Sequence, residues 1–347
     1  GICMEGFGYW NYGFGFFSAY AQLLFQYTGG RKDYFKSDRI KNIACFLNAG
    51  LLRMNCPISF SDLSVVQKPN IGTAHFLHDK YNEIKLYCDG YMNYNDDKCF
   101  RWAFKIRDAV WTLKYSVEKY EEDGRVDEFR FYPDAQWYIR KTPKMILCAK
   151  GGNNAEPHNH NDVGSFYIDN YRGQLLTDPG SGEYTEAYFN AETRYNILPV
   201  SSLGHNLPII GGKGQISGKD AVATVCEATP EHIRMELSSA YDVKGLNSFL
   251  RKISVCNDMV VVEDCFDTSD GVGEIREHFV SKIMPVAVGR KVMLGSGCEM
   301  SCGNIMPIVS CKEYRASGGK SEVLYFIDFA AESVSGQTCF NTVIKVF

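Results

Sequence analysis

The hydrophobic pattern of the chain changes near Phe129, and this change limits the folds that the sequence can adopt. Before it, apolar residues recur at helical spacing, in the sets Ile40, Ile43, Leu47, Leu51 and Ala103, Ile106, Val110, Leu113. After it, short β-branched and aromatic runs, such as residues 166–168 and 260–262, alternate with glycines. The chain is therefore predicted to be α+β, with helices followed by an antiparallel β-sandwich rather than βαβ units.

Length and charge exclude several classes of protein. The 347 residues are enough for about two domains with separate cores. The formal net charge is -4, from 37 basic and 41 acidic residues that are interspersed, so no broad basic surface is available for nucleic acid. No apolar run approaches the ~20 residues that span a bilayer. Gly1 is neither an initiator methionine nor the start of a signal peptide, and we interpret the chain as part of a longer protein.

The cysteines do not indicate a zinc ribbon. There are 13, an odd number, and no Cys-x-x-Cys pair occurs among them. Several lie in apolar surroundings, such as Cys45 and Cys148, where a reduced cysteine behaves as a small hydrophobic residue. This usage favours a reducing compartment.

Two histidines and an aspartate, His158, His160 and Asp162, occupy alternate positions in one segment. If this segment is a strand, the period of two places all three on one face, together with Phe166 and Ile168. Buried imidazoles need polar partners, and a metal ion satisfies imidazole nitrogens and a carboxylate together.

Two further candidate ligands follow along the chain, Asp178 in a Thr-Asp-Pro-Gly segment and His205 after a Leu-Gly pair. The alternative is that the histidines are hydrogen-bonded residues at a strand start and that Asp178 caps a turn. The His-x-His pattern alone does not decide between a metal site and this structural role.

An ordered set of motifs resembles the heparinase II/III-like family of polysaccharide lyases. The motifs are EGFGYWNYG (5–13), HNHNDVGSF (158–166), LTDPG (176–180), RY (194–195) and GHNLP (204–208). The resemblance covers most of the chain. It implies the last helices of an (α/α) toroid in residues 1–125 and an antiparallel β-sandwich in residues 126–347, with an active site in the cleft between the two domains.

The resemblance also implies roles for particular residues. It assigns zinc (Zn2+) to His160, Asp178 and His205, and it turns His158 toward the substrate. Tyr9 matches the catalytic tyrosine and Tyr195 a second tyrosine of the cleft. The residues expected to bind substrate are Glu5, Trp10, Tyr12 and Arg194. The family's Asn-His pair, which contacts the substrate carboxylate, would lie upstream of Gly1, so this part could be inactive alone.

The chemistry expected of such a site is β-elimination on a uronate. Hydrogen-bond donors, including His158, would neutralise the carboxylate and stabilise the enolate that forms when C5 loses its proton. Tyr9 would act as base, acid or both, and a tyrosine needs a cationic neighbour such as Arg194 or a histidine to act as a base near neutral pH. Without the resemblance, the aromatic residues around Tyr9 are better explained as core.

Three hypotheses remain open from the sequence. The first is a lyase acting on an anionic uronate polysaccharide such as heparan sulfate, alginate or chondroitin. The second is a zinc hydrolase in which His160, Asp178 and His205 leave a position for an activated water. The third is a glycan-binding or inactive remnant. A homodimer is compatible with each hypothesis. The resemblance favours the cell envelope or secretion, whereas the cysteines favour the cytoplasm.

Overall fold

The chain divides into two compact units. A computed structural model describes residues 1–53, 56–62, 68–87, 90–92, 96, 102–121, 125–269, 271–332 and 335–347. The N-terminal unit comprises residues 1–59 and 63–124, and the C-terminal unit comprises residues 60–62 and 125–347. Within the described ranges, no helix is both long and apolar enough to cross a lipid bilayer.

The N-terminal unit is mainly helical. Its elements are α1 (Phe7–Tyr27), α2 (Asp38–Ala44), α3 (Phe46–Ala49), β1 (Leu51–Arg53), β2 (Cys56–Pro57), α4 (Ile71–Lys80) and α5 (Trp102–Lys114). The helical spacing of Ile40, Ile43 and Leu47 falls on α2 and α3. Leu51, which the same spacing places on a helix, instead begins β1, because Gly50 ends α3 and glycine is a poor helix former.

Helix α1 contributes aromatic side chains to the core of the N-terminal unit. Phe7, Trp10 and Phe14 are buried, and the rings of Trp10 and Phe14 stack with centroids 5.5 Å apart. The indole N–H of Trp10 donates a hydrogen bond of 2.8 Å to the carbonyl of Ile43. Both the apolar body and the polar tip of Trp10 are thus used inside the protein.

The helix predicted from Ala103 to Leu113 is confirmed as α5, but its apolar spacing does not mark the buried face. Ile106 and Leu113 are 61% and 80% exposed, whereas Phe104 and Trp111 are buried. The larger aromatic side chains occupy the interior because they remove more apolar surface from water.

In its described residues, the C-terminal unit is built from strands, one short α-helix and short 3-10 turns. In chain order the elements are β3 (Glu128–Tyr132), β4 (Trp137–Lys141), β5 (Ile146–Lys150), β6 (Asn153–Asn154), β7 (Phe166–Asp169), β8 (Gln174–Leu176), α6 (Glu186–Phe189), β9 (Ile209–Ile210), β10 (Gly218–Val222), β11 (Thr224–Ala228), β12 (His232–Glu236), β13 (Leu246–Cys256), β14 (Met259–Thr268), β15 (Glu274–Ser281), β16 (Pro285–Val288), β17 (Lys291–Leu294), β18 (Cys298–Cys302), β19 (Pro307–Arg315), β20 (Ser321–Glu332) and β21 (Gly336–Val346).

These strands form antiparallel sheets that share one core. The eight-stranded sheet has the order β11-β12-β13-β14-β21-β18-β17-β16, and it is accompanied by a five-stranded sheet β3-β4-β5-β7-β8 and a four-stranded sheet β19-β20-β15-β9. Side chains from all three sheets meet in a single cluster that includes Leu147, Phe166, Phe249, Phe279 and Ile344. The α+β class and the antiparallel β-sandwich are therefore confirmed.

The cysteines follow the sequence interpretation only in part. Cys148 is a buried thiol, as expected for a small hydrophobic residue, whereas Cys45 is only partly buried; Cys298 and Cys302 are buried thiols as well. Cys265 and Cys339, however, form a disulfide between β14 and β21, where they are directly paired in the strand register. The linear sequence did not reveal this pair because 74 positions separate the two cysteines.

A buried ionic cluster lies inside the sandwich. The guanidinium of Arg251 on β13 contacts Asp264 on β14 at 2.5 Å and Glu277 on β15 at 3.9 Å, and all three side chains are almost fully buried. Its Nη1 donates to the carbonyls of Gly164 and Asn206, at 3.0 and 2.7 Å. Burial and the Asp264 charge raise the pKa of Glu277 well above its ordinary value. Arg251 therefore balances the charge of Asp264, while the raised pKa of Glu277 favours its protonated form.

We predict that Arg251→Met destabilises the protein by about 3–5 kcal/mol, because it leaves the Asp264 carboxylate buried without its partner. Chemical denaturation measures the effect. The matched control is Lys252→Met, which removes an exposed ion pair with Glu263 on the same two strands and should change stability by about 1 kcal/mol or less. Equal effects of the two changes would contradict the prediction.

Candidate metal centre

Three side chains from separate loops meet inside the C-terminal unit. His160 lies in the loop between β6 and β7, Asp178 follows the end of β8, and His205 follows a 3-10 turn before β9. One ligand atom from each of the three lies within 4.8 Å of the others. Their side chains are 0%, 1% and 0% exposed. The structure thus brings together the three residues that the sequence suggested as metal ligands.

The outer nitrogen of each histidine is already bonded, and this fixes which nitrogen faces the centre. Nε2 of His160 is 2.9 Å from Oδ1 of Asp62, and Nε2 of His205 is 2.9 Å from the carbonyl oxygen of Pro199. Because each acceptor takes a proton from Nε2, the neutral ring presents the lone pair of Nδ1 to the centre. Metal-binding histidines are typically oriented in this way by a carboxylate or a backbone carbonyl.

The two carboxylate oxygens of Asp178 have different surroundings, since one belongs to a turn and the other faces the centre. Oδ1 accepts a 2.9 Å hydrogen bond from the backbone N–H of Gly180, whereas Oδ2 lies 3.3 Å from Nδ1 of His205. Asp178 therefore caps the Pro-Gly turn with one oxygen, which is the structural role considered for it, and its other oxygen could bind a metal ion.

The donor set fits a cation. Among the described residues, none forms a hydrogen bond with Nδ1 of His160, Nδ1 of His205 or Oδ2 of Asp178, although all three atoms are buried. Burial lowers the pKa of His205, but the charges of Asp178 and Asp162 outweigh it and raise that pKa. A proton could thus bridge His205 and Asp178, yet it would leave His160 unsatisfied. A metal ion would contact all three atoms.

The expected strand at 158–162 is not formed. Residues 155–165 are turns and loop, and the strand β7 begins only at Phe166. His158 adopts a left-handed backbone conformation with φ of 59°, which breaks the alternation. The histidines consequently differ in environment, since the side chain of His160 is fully buried and that of His158 is 28% exposed.

Asp162 is not part of the His-Asp-His group. Its Oδ1 accepts a 2.8 Å hydrogen bond from Nζ of Lys150, and both side chains are fully buried. The charge of Lys150 therefore compensates this carboxylate.

Asn206, which sequence reasoning did not single out, holds the ligand loops together. Its Nδ2 donates to the carbonyls of Phe166 and Thr177, at 2.6 and 3.0 Å, and its Oδ1 accepts from the N–H of Val280 at 2.8 Å. Asn206 is adjacent to the candidate ligand His205, and Thr177 is adjacent to the candidate ligand Asp178. The only signal in the sequence is its place in the GHNLP motif.

A second residue missed in the sequence, Asp62, gathers four partners. Its carboxylate contacts Nε2 of His160 at 2.9 Å, Nδ1 of His158 at 3.1 Å and Nη2 of Arg194 at 3.1 and 3.2 Å, and it accepts a hydrogen bond from the hydroxyl of Tyr188. Burial alone would raise its pKa, but the hydrogen bonds from His160 and Tyr188 and the Arg194 charge hold the pKa of Asp62 well below its ordinary value. We call these five residues the Asp62 cluster.

Arg194 and Tyr195 contact the loop that carries the two histidines. Nη2 of Arg194 donates to the carbonyl of Asn159 at 3.0 Å, and the hydroxyl of Tyr195 donates to Oδ1 of Asn159 at 3.1 Å. Both side chains are only partly exposed. Their predicted substrate-binding and catalytic roles stay predictions.

The other residues singled out in the sequence belong to the N-terminal unit. Glu5 lies in the turn before α1, and Tyr9 and Tyr12 lie on α1 and are 46% and 49% exposed. Trp10 is 3% exposed, which favours the packing role described above over stacking on a sugar. The roles assigned to Glu5, Tyr9 and Tyr12 stay predictions.

The fold and the candidate site together define an antiparallel β-sandwich with a buried His-Asp-His group. No protein-family model matches the sequence, and no curated protein does either. Solved structures do share the fold. A heparinase III aligns with a TM-score of 0.66 and 11% identity over 92% of this chain and 48% of its own. The heparan sulfate lyase HepC from Pedobacter heparinus aligns with a TM-score of 0.63 and 12% identity over 93% and 49%.

A third similar structure is the chondroitin AC lyase of Streptomyces coelicolor A3 in complex with chondroitin sulphate. It aligns with a TM-score of 0.52 and 8% identity over 92% of this chain and 50% of its own. The chain thus spans about half the length of these proteins. At such identities the likeness concerns the fold.

We predict that His160→Ala and His205→Ala each abolish stabilisation by added metal. Free zinc at 100 times its dissociation constant would stabilise the wild-type protein against unfolding by about 2.7 kcal/mol. Thermal unfolding with and without zinc, together with elemental analysis after dialysis, measures this. The control is His232→Ala, whose imidazole pairs with Glu227 at the surface and should leave the response unchanged. A wild-type protein that neither retains metal nor responds to it would refute the metal centre.

Proposed function

We propose that this chain is the C-terminal part of a polysaccharide lyase that cleaves a uronic-acid-containing polysaccharide by β-elimination. The observation that carries the proposal is the fold: the structures that align with more than nine-tenths of the chain include a heparinase III, a heparan sulfate lyase and a chondroitin AC lyase. Because the chain spans about half of those proteins, the activity is proposed for the complete protein.

The reaction requires that the C5 proton of the uronate leave while the C4–O4 bond breaks and a C4=C5 double bond forms. The proton passes to a base, and an acid protonates the departing O4. The electron pair of the C5–H bond is delocalised into the carboxylate in the transition state, so donors aimed at that carboxylate lower the barrier. His158 suits this role as an imidazolium, whose Nδ1–H donates to Asp62 and whose Nε2–H donates to the substrate carboxylate, and its side chain is partly exposed. Tyr9 is proposed as the base, the acid or both.

Zinc is proposed for the buried centre because two imidazole nitrogens and one carboxylate oxygen are ligands that this ion prefers. When bound, it would hold the loops of His160, Asp178 and His205 together. The hydrolase alternative requires a metal-bound water that reaches the substrate. The near-complete burial of all three ligands argues against that alternative and for an organising ion.

An exposed aromatic group beside the Asp62 cluster supports a carbohydrate substrate. Tyr184 and Phe189 are 51% and 64% exposed, and their ring centroids lie 5.0 Å apart. Both rings also contact Tyr188, whose hydroxyl bonds to Asp62. Exposed aromatic faces of this kind can stack on sugar rings.

We predict that the full-length protein releases products with an ultraviolet-absorbing unsaturated uronate from at least one member of a panel of heparan sulfate, chondroitin and alginate. Tyr9→Phe and His158→Ala should each lower kcat by about 10²–10⁴-fold, the contribution typical of general acid–base catalysis. Tyr27→Phe is the control, since Tyr27 lies on the same helix as Tyr9 and is 90% exposed.

The nature of the products separates the three hypotheses. Saturated products together with immediate loss of turnover on metal removal would indicate a hydrolase. Binding of oligosaccharides without any product would indicate a remnant. Full activity of Tyr9→Phe would refute the role of that tyrosine.

A further inference from the structure

We propose that Asp62 is a positioning residue that couples the metal ligand His160 to the substrate-facing His158. The proposal rests on the lyase function given above. It assigns Asp62 no contact with substrate. Its role is to determine how two imidazoles on either side of Asn159 are oriented, one toward the ion and one toward the partly exposed surface.

Each oxygen of the Asp62 carboxylate serves one histidine. Oδ1 is 2.9 Å from Nε2 of His160, and Oδ2 is 3.1 Å from Nδ1 of His158. The two rings therefore use opposite nitrogens toward the same carboxylate. As a consequence, His160 presents Nδ1 to the metal centre, whereas His158 directs Nε2 away from Asp62. A shift of this carboxylate would move both rings.

The Asp62 carboxylate is itself held in place by further donors. Nη2 of Arg194 contacts both oxygens, and the hydroxyl of Tyr188 donates to Oδ1. The backbone N–H of Asp62 donates to the carbonyl of His158 at 3.3 Å. With so many contacts and a side chain that is 2% exposed, the carboxylate has little freedom to reorient.

Backbone strain on both sides of this contact supports a functional role. Ser61, next to Asp62, has φ of 67°, and His158 has φ of 59°. Residues without a glycine's freedom adopt such angles at a cost of about 1–3 kcal/mol and persist where surrounding contacts enforce them, often at functional sites. Here both strained residues border the Asp62–His158 contact.

The same geometry would allow a buried ion to affect the reaction from a distance. An ion held by His160 would restrain its ring, and that ring contacts Oδ1 of Asp62. The Asp62 carboxylate sets the place of Oδ2 and thereby the orientation of His158. Loss of the ion would remove the restraint on His160 and, through Asp62, on His158.

The test is Asp62→Asn in the full-length protein, with zinc affinity, kcat and KM measured on the polymer that yields product. An amide keeps the size but offers a single acceptor oxygen, so the two histidines no longer have one acceptor oxygen each. Zinc affinity should fall by about 10–100-fold, as for other partners of metal-bound histidines. The decisive prediction is that kcat stays at least about tenfold below wild type at saturating zinc while KM changes little. Asp258→Asn, at a surface carboxylate paired with Lys144, is the matched control.

Recovery of wild-type kcat at saturating zinc would overturn the proposal, because Asp62 would then serve the ligand alone. Wild-type zinc affinity in the variant would overturn it as well. If Asp62→Asn fails to fold, the wild-type protein still provides a test. The ring resonances of His158, assigned among seven histidines with His158→Ala, should shift on zinc binding. Their failure to shift would refute the coupling.

These readouts distinguish this proposal from the lyase function. A protein without product on any polymer would end the proposed function. The zinc affinity of Asp62→Asn and the zinc response of the His158 resonances would still decide whether Asp62 couples the two imidazoles.

Discussion

Two histidine nitrogens and one carboxylate oxygen face one another inside the C-terminal unit without hydrogen-bond partners in the described part of the chain, and the surrounding loops are arranged around them. Each such buried group costs about 1–3 kcal/mol when left unsatisfied. A proton shared by His205 and Asp178 would satisfy two of them and still leave Nδ1 of His160 unsatisfied. A cation bound to His160, Asp178 and His205 would remove that cost, so metal binding and loop structure are expected to be linked.

The loops can be irregular because the sandwich beneath them is rigid. Arg251, anchored to Asp264 inside the core, donates to the carbonyls of Gly164 and Asn206, which lie in two of the ligand-bearing loops. Asn206 in turn ties together the ends of strands β7 and β8. Side chains of the core thus satisfy polar groups that the loops would otherwise leave unpaired. These hydrogen bonds hold the loops, and the candidate ligands on them, in fixed positions relative to the sheets.

The features that depend on short-range sequence patterns could be predicted from the sequence. The change from helical to strand periodicity is local, and it correctly indicated the α+β class and the sandwich. The group of His160, Asp178 and His205 came from the resemblance of motifs, since no spacing rule connects residues so far apart. The strand considered for residues 158–162 is not formed, because alternation of residue types does not reveal a left-handed turn at His158.

Asp62 could not be predicted for a related reason. It lies 96 and 98 positions before the two histidines that it contacts, in a segment whose sequence reads as a loop between helices. Only the folded chain shows that residues 60–62 belong to the C-terminal unit. Phe60 accounts for this placement, because its fully buried ring packs edge-on against Trp137 and Tyr167, each with centroids 5.2 Å away.

This anchoring has a consequence for how the site is assembled. The three candidate metal ligands come from residues 125–347, but the carboxylate that contacts His160 comes from residues 60–62 of the preceding polypeptide. Apolar burial of Phe60 provides a non-directional driving force, and the two residues that follow are then close enough for the directional bonds of Asp62 to form. The β-sandwich sequence alone therefore lacks the carboxylate to which both histidines of the His-Asn-His motif are hydrogen-bonded.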